Sequence, residues 1–526
     1  MQPVLLALSS SLLLIFAFPT LDCSLLAWVG LAPLLLATAE QPCRRAFALA
    51  FASGASFFLG VFSWILTVAS FTVLDFVACG LFLGLYVGTF GFVLSWLRRN
   101  IRLPFCLIAP PLWITLEYLR AHAGFLSFPL GLLGHTQYRS PLFTQIAALA
   151  GVYGVSFLVV MTNAALADLF WLWRRTREGD WAWKRLLTPV VMLGCMWSAT
   201  LSYGWWMLTT PLPEEVLKVT VVQGNISQEQ KWKREFRKRN VETQVELTRE
   251  AHRREPAALT IWPESSVPGS LAKDWSLASV IGALLKEINT PLLLGSFEKV
   301  PRERVEQTQQ TEQIGPTGQT EEAWFNSASL AVPRHGIPGR YHKVRLLPFG
   351  EYLPLADVVP WPARLHAASR TRRLLPGSDY TVFNLDGRRF SVLICWENLF
   401  PELARTFVAN GAEFLVNMTN EAWFGDSAAS RQFLAISVFR AVETRVALVR
   451  AANTGISAFI DPYGRVVAWV QDETGRDQLV AGMLTHDVPL MRTRTFYSVY
   501  GDVWVGVNVA FLVIVICRAA SKADDA

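Results

Sequence analysis

The chain has 526 residues, 52% of them hydrophobic and only 17% charged, and carries a formal net charge of +6. It is longer than one typical domain, and too apolar and too poor in charge for an ordinary soluble protein. Many of the uncompensated arginines lie in short loops between apolar runs, a membrane-topology pattern rather than a nucleic-acid-binding one. No Cys-x-x-Cys pair, His-Glu-x-x-His or acidic calcium loop points to a metal or cofactor.

Charged residues are sparse before about residue 208 and dense from there to about 494. This predicts a seven-helix membrane domain over 1–208, an extracytoplasmic domain over 209–494, and an eighth helix with a tail over 495–526. Apolar runs long enough to cross a bilayer lie at about 3–19, 23–39, 46–69, 72–97, 103–121, 151–173, 186–207 and 501–518.

The loops between these runs orient them. Arg44 and Arg45 follow the second run, Arg98, Arg99 and Arg102 the fourth, and Arg174, Arg175, Arg177, Lys184 and Arg185 the sixth, whereas the first and third connections lack Lys and Arg. Basic loops stay in the cytoplasm. Both termini are therefore expected inside and the polar domain outside, in agreement with Arg518 and Lys522 after the last run.

The outer segment 122–150 is too broken by Gly and Pro to span and too apolar to be solvated. It is expected either to lie in the interface, to re-enter, or to pack between helices. Asp75, Glu117 and Asp168 fall near predicted helix ends, where hydration of a carboxylate costs little.

From about residue 216 the pattern changes to short β-rich runs at 219–222, 259–262, 292–294, 327–332, 390–394, 414–416, 447–450 and 456–460. Amphipathic helices are expected over 235–254, 274–288 and 428–445, and Asp461-Pro462-Tyr463-Gly464 reads as a turn between strands. Strands alternating with helices predict a layered α/β domain. Residues 303–323, rich in Gln, Glu and Thr, read as a solvated insertion.

Cys395 ends the apolar run Ser391-Val392-Leu393-Ile394 and is the only cysteine between Cys195 and Cys517, so the polar domain holds one thiol and no disulfide partner for it. A single thiol outside the cytoplasm is exposed to oxidation, which favours a chemical role over a packing one. A nucleophilic thiol needs a base and an oxyanion partner. Glu264 stands at the end of a strand that Pro263 stops, and Lys343 lies in Arg340-Tyr341-His342-Lys343-Val344-Arg345. Either residue alone reads as a surface group.

Together, Glu264, Lys343 and Cys395 resemble the Glu, Lys and Cys of the nitrilase superfamily, which occur in that chain order. The closer resemblance is to a membrane branch, the apolipoprotein N-acyltransferases of bacterial inner membranes. It is carried by Val222-Gln223-Gly224-Asn225 with Trp232, Trp262-Pro263-Glu264, the block from Tyr341 to Pro354 with Glu351, and Ile394-Cys395-Trp396-Glu397. It continues through Asn420-Glu421-Ala422-Trp423-Phe424-Gly425-Asp426-Ser427 and Arg450-Ala451-Ala452-Asn453-Thr454-Gly455-Ile456, and in the apolar half through Gly134-His135-Thr136-Gln137 and Gly151-Val152-Tyr153-Gly154-Val155-Ser156-Phe157. Trp396 stands where the family often has Tyr, and the 303–323 insertion is not a shared feature.

The resemblance implies eight transmembrane α-helices with a periplasmic nitrilase-like α/β domain, an αββα sandwich, in a monomer of the inner membrane. It implies a Glu264–Lys343–Cys395 triad that moves a fatty acyl chain from a phospholipid, through a Cys395 thioester, to the α-amine of a diacylglyceryl apolipoprotein. Lys343 is expected to lower the thiol pKa. Glu351 and Glu397 have an acid or positioning role, or are structural carboxylates; Trp232, Trp396 and Trp423 are substrate-binding candidates, with packing as the other reading of Trp232 and Trp423. The apolar, proline-broken stretch 346–361 is expected to be a loop over the site that touches the bilayer, or core. Two rivals share these residues: a membrane-tethered amidase or nitrilase acting on a small amide or nitrile, and an inactive scaffold that presents lipoproteins.

Overall fold

The structure is a computed structural model that describes all residues except 20, 102, 177–182, 272–273, 301–322, 357, 362–372 and 525–526. Nearly all of the polar insertion expected over 303–323, and part of the connection that follows Trp361, lie outside the described residues. The chain divides into two compact units: Met1–Pro211 with Ser427–Glu443 and Thr495–Ala526, and Leu212–Asp426 with Thr444–Arg494.

The first unit is helical, and helix covers each of the apolar runs. Among the described residues three helices, Val73–Asn100, Ala147–Arg174 and Val503–Lys522, are long and apolar enough by themselves to cross a membrane. The second run is split near Gly30–Ala32, where Asn163 takes over the backbone: its amide oxygen accepts from Leu31 N at 2.8 Å and Ala32 N at 2.9 Å, and its nitrogen donates to Ala27 O at 2.8 Å. A helix break inside an apolar layer needs such a substitute for water.

Small residues let two helices approach. A Cβ added at Gly91 would stand 2.5 Å from Ala50 Cβ and 2.7 Å from Ala46 O, so Cys43–Val61 and Val73–Asn100 meet almost backbone to backbone.

Segment 122–150 is packed within this unit. Leu130, Leu132, Leu133, His135, Thr136 and Gln137 are buried, and Arg120 fixes the turn by donating to Phe128 O at 3.0 Å and Leu130 O at 2.6 Å. The expectation of hydrated carboxylates fails for two of the three. Glu117 is buried and accepts from Trp113 Nε1 at 2.9 Å and Leu133 N at 2.8 Å; Asp168 is buried and caps Phe105 N and Cys106 N, both at 2.9 Å. Hydrogen-bond donors, not water, are what make these carboxylates tolerable there. Asp75 is half-buried, in a capping box with Thr72.

The helix Ala429–Thr444 lies in sequence between two strands of the α/β unit, yet nearly all of it groups with the helical unit. Gln432 donates to Val61 O at 2.9 Å and accepts from Trp64 Nε1 at 3.1 Å, and Glu443 accepts from Val152 N at 3.0 Å.

The second unit is built on two mixed sheets. One contains β1 (Val216–Gln223), β2 (Leu259–Ile261), β3 (Leu292–Lys299), β4 (Ala323–Val332), β5 (Gly336–His342) and β6 (Arg373–Leu374). The other contains β7 (Phe383–Leu385), β8 (Arg388–Ile394), β9 (Phe414–Thr419), β10 (Ala447–Ala452), β11 (Ala458–Ile460) and β12 (Val466–Trp469), and β13 (Gly482–Pro489) returns to the first. The orders are β13-β1-β2-β3-β4-β5, with β6 on β4, and β12-β11-β10-β9-β8-β7. Each sheet has three parallel strands at its centre, β1-β2-β3 and β8-β9-β10, flanked by antiparallel ones. The sheets face each other through β1 against β10 and β4 against β8.

Helices Arg237–Arg254 and Trp275–Ile288 cover the outer face of the first sheet. Leu277, Ile281, Leu284, Leu285 and Ile288 form one buried stripe at helical spacing, joined by Val241, Val245, Leu292 and Leu294. Each such side chain contributes about 1.5–3 kcal/mol on burial. Asp274 caps the second helix through Leu277 N, and Asn289 in the left-handed region (φ +47°) ends it. This packing fixes the parallel strands whose carboxyl ends carry the site.

Candidate active site

Glu264, Lys343 and Cys395 each follow the last residues of a strand. After β2, Trp262 and Pro263 lead into Glu264, which is buried, and Ser265 turns the chain at φ +52°. Gly295 on the neighbouring β3 permits that turn, because a Cβ there would lie 2.4 Å from Ser265 N and 2.7 Å from Pro263 O. Lys343 extends β5 by one residue; its N donates to Asn326 O at 2.8 Å, and its side chain is fully buried. Cys395 follows Ile394 at φ +52° and opens the 3-10 turn Cys395–Leu399. A non-glycine residue in this region costs about 1–3 kcal/mol, so the surrounding hydrogen bonds must impose it.

Glu397 imposes it. One carboxylate oxygen accepts from Tyr341 Oη at 2.7 Å, Val344 N at 2.7 Å and Arg345 N at 3.0 Å; the other accepts from Ile394 N at 2.8 Å. A single buried side chain thus ties the two peptides that follow Lys343, and the Tyr341 hydroxyl, to the turn that presents Cys395. Burial pushes this carboxyl up to about 7, against the pull of those donors and of Lys343.

Lys343 Nζ lies 2.8 Å from Glu351 Oε2 and 3.8 Å from Glu264 Oε1. Asn326 on β4 donates to both carboxylates, to Glu264 at 2.8 Å and to Glu351 at 3.1 Å, and Leu347 N donates to Glu351 at 2.7 Å. Burial alone would lower the ammonium, but Glu351, Glu264 and Cys395 outweigh it and raise the Lys343 pKa. The two carboxylates and the thiol thus favour the ammonium form of the lysine.

The same charges act on the thiol. Burial first, then Glu264, push Cys395 up to about 12, while Lys343 and a Thr419 hydrogen bond pull it down. Lys343 thus pulls the thiol down, the direction expected of it, but desolvation and the Glu264 charge outweigh that pull. The thiol form is therefore the favoured one at neutral pH. Attack by sulfur must be accompanied by proton transfer to a neighbouring base, and the Glu264 carboxylate is held in the same cluster.

Trp232, Trp396 and Trp423 lie on the segments that carry Lys231, Cys395 and Asn420. Trp232 is about one-third exposed, 5.7 Å from the Phe297 ring; Trp396 stands edge-on to Phe400 at 5.5 Å; Trp423 is 45% exposed. Leu355 and Val358 of the proline-broken stretch are exposed, at 53% and 79%, whereas Leu346 is buried.

Sequence reading missed several members of the cluster. Asn326 bridges Glu264 and Glu351; its signal was a lone amide inside Trp324-Phe325-Asn326-Ser327, an otherwise apolar strand start. Lys231 is buried and donates to Glu264 O at 2.9 Å and Asn420 Oδ1 at 2.7 Å. Arg450 is buried on β10, pairs with Glu421 and donates to Asn417 Oδ1 at 2.6 Å; burial lowers its pKa to about 9.

Residues 10–165 match the model of the apolipoprotein N-acyltransferase N-terminal domain and residues 218–496 that of carbon-nitrogen hydrolase. An apolipoprotein N-acyltransferase of Geobacter metallireducens is 35% identical over 98% of this chain and 95% of its own length. The chain belongs to the apolipoprotein N-acyltransferase family.

A second relative of the family, from Chlorobaculum tepidum, is 30% identical over 95% of this chain and 93% of its own. Among solved structures, an amidase of the nitrilase superfamily from Nesterenkonia AN1 covers 53% of this chain and 94% of its own at 18% identity, with a TM-score of 0.38, too distant to add to the assignment. The carbon-nitrogen hydrolase match contains Glu264, Lys343 and Cys395, and the N-terminal match contains Gly134–Gln137 and Gly151–Phe157. As an apolipoprotein N-acyltransferase, the chain is an enzyme, an acyltransferase of a bacterial membrane.

Proposed function

We propose that the chain acylates lipoproteins in two steps at Cys395. In the first, Glu264 takes the thiol proton as sulfur attacks an ester carbonyl of a phospholipid. Lys343 and a backbone N–H near Cys395 hold the oxyanion. The ester C–O bond then breaks, Glu264 returns the proton to the leaving oxygen, and a lysophospholipid departs from a Cys395 thioester. In the second, the α-amine of a diacylglyceryl cysteine attacks the thioester, Glu264 removes the amine proton, the C–S bond breaks, and the thiol is regenerated beside a new amide. The order is chemically reasonable because a thioester is far more reactive towards an amine than a phospholipid ester is.

The observation that carries this reading is the Lys343 ammonium fixed between Glu264 and Glu351 beside a thiol presented from a strained turn. Glu351 holds the lysine, and Glu397 holds the nucleophile turn. Trp232, Trp396 and Trp423 contact substrate, and exposed Leu355 and Val358 meet the bilayer and admit acyl chains.

In the membrane reading, eight spans place both termini in the cytoplasm of the inner membrane. The domains run 1–208, 209–494 and 495–526, the middle one periplasmic, in a monomer that uses phospholipid as donor and diacylglyceryl apolipoprotein as acceptor. Incubation of the purified protein with phospholipid should give an acyl adduct on the Cys395 peptide by mass spectrometry, discharged on addition of a diacylated lipopeptide. Absence of the adduct would exclude the two-step scheme. Loss of the adduct at the same rate without lipopeptide would instead identify a hydrolase.

A further inference from the structure

Lys231 is a buried cation that the two-step scheme does not use. It ends the short helix Gln228–Lys231, and only 2% of it is exposed. Its Nζ joins the ends of two strands: it donates to the Glu264 carbonyl after β2 and to Asn420 Oδ1 after β9. Asn420 in turn accepts from Asn453 Nδ2 after β10 at 2.9 Å and donates to Gln228 Oε1 at 3.0 Å. Among the described residues no carboxylate lies within ion-pair distance of the ammonium. Both acceptors are neutral, and a side-chain amide with two N–H groups would satisfy them. What lysine adds is a third N–H and a charge.

We propose that Lys231 is a second cationic positioning residue of the Cys395 site: it pins the Glu264 turn and Asn420, and its charge favours the ionised thiolate. The proposal rests on the reading of Cys395 as nucleophile and Glu264 as base. The ionisable groups gathered around it are Glu264, Cys395, Lys343 with Glu351, and Arg450 with Glu421, with Glu229 on its own helix. Lys343 is committed to two carboxylates and Arg450 to Glu421. Lys231 is the cation of this group without a carboxylate in contact; the Glu264 charge reaches it only at longer range. Burial lowers its pKa to about 7, while Glu264 and Cys395 raise it. A neutral amine still donates both hydrogen bonds, so the proton can leave without rearrangement of Glu264 or Asn420. The support given to the thiolate is present below about pH 7 and fades above it.

The test is the rate of alkylation of Cys395 by iodoacetamide in the detergent-purified full chain, followed on the Cys395 peptide from pH 5.5 to 9. Lys231→Met should slow alkylation about tenfold at pH 6, and the ratio of wild-type to variant rate should approach one by pH 8.5, where the native lysine is neutral. A purely structural role lowers the rate by the same factor at every pH. A ratio that stays constant across the range, or equals one throughout, would overturn the proposal. Lys231→Gln, which keeps two N–H donors, gives the same readout if Lys231→Met does not fold. Glu264→Gln separates the two levels: alkylation and pH profile identical to wild type in that variant overturn the base assignment itself, whereas slowed alkylation there with a pH-independent Lys231 ratio overturns Lys231 alone.

Discussion

The two units bury polar side chains for different ends. In the helical unit Asn163, Asp168 and Arg120 spend their hydrogen bonds on backbone: Asn163 on the break at Gly30–Ala32, Asp168 on the start of Phe105–Ala121, and Arg120 on the turn at 128–131. In the α/β unit the strand ladders satisfy most of the backbone, Glu397 holds the turns that remain, and the buried charges Glu264, Glu351, Lys343 and Lys231 gather about one thiol. Apolar surroundings without sheet neighbours demand polar groups as scaffolding, whereas a layered sheet releases them for chemistry at its strand ends.

This contrast is broken or sharpened by substitution, beginning with Lys343→Met. That change leaves Glu264 and Glu351 facing each other without a cation. Acyl transfer should fall by about 10²–10³-fold from loss of oxyanion stabilisation, and the fold should lose about 3–5 kcal/mol from the broken buried pair. Activity per folded molecule and thermal midpoint in detergent are the measurements; intact activity would break the contrast on the α/β side. Gly295→Ala forces a methyl group onto Ser265 N and Pro263 O, displacing the Glu264 turn. A loss of about tenfold to a hundredfold in the thiol acylation rate is expected, with the fold retained by circular dichroism.

Asn163→Ala tests the helical side. It should lower stability by about 1–3 kcal/mol through the exposed Leu31 and Ala32 amides, read as a lower thermal midpoint, while specific activity of the folded fraction stays at the wild-type level. A smaller effect concerns pH. The folded Glu397 carboxyl, raised to about 7 from an ordinary 4.5, binds its proton more tightly than the unfolded chain does. Its contribution to stability is therefore full below about pH 4.5 and is lost as pH rises through about 7. Thermal midpoints at pH 5 and pH 8 should show that decline in the wild type and a flatter profile in Glu397→Gln.

Much of this was legible in the sequence. Long apolar runs marked the helices, and β-branched runs marked eight strands, because period and composition are local properties. The strands β5, β6, β7 and β13 were not legible: Gly336–His342 carries Gly, Pro and Arg, Gly482–Pro489 is only partly buried, and β6 and β7, of two and three residues, are too short to show an apolar run. The helix Ala429–Thr444 was readable as a helix but not as part of the helical unit, since Gln432 and Glu443 find partners at Val61, Trp64 and Val152, hundreds of residues away. At the site, Glu264, Lys343 and Cys395 stood out by chain order and resemblance. Asn326 and Lys231 did not, because one amide in a strand and one lysine among many acquire meaning only when other strands end beside them.

The central claim is that Cys395 carries the acyl chain between donor and acceptor. The direct measurement is lysophospholipid release on a rapid time scale with phospholipid present and no acceptor. One equivalent per chain, abolished in Cys395→Ala and resumed on addition of a diacylated lipopeptide, is the predicted result. Continued release over many turnovers without acceptor, or a burst that survives in Cys395→Ala, would contradict it.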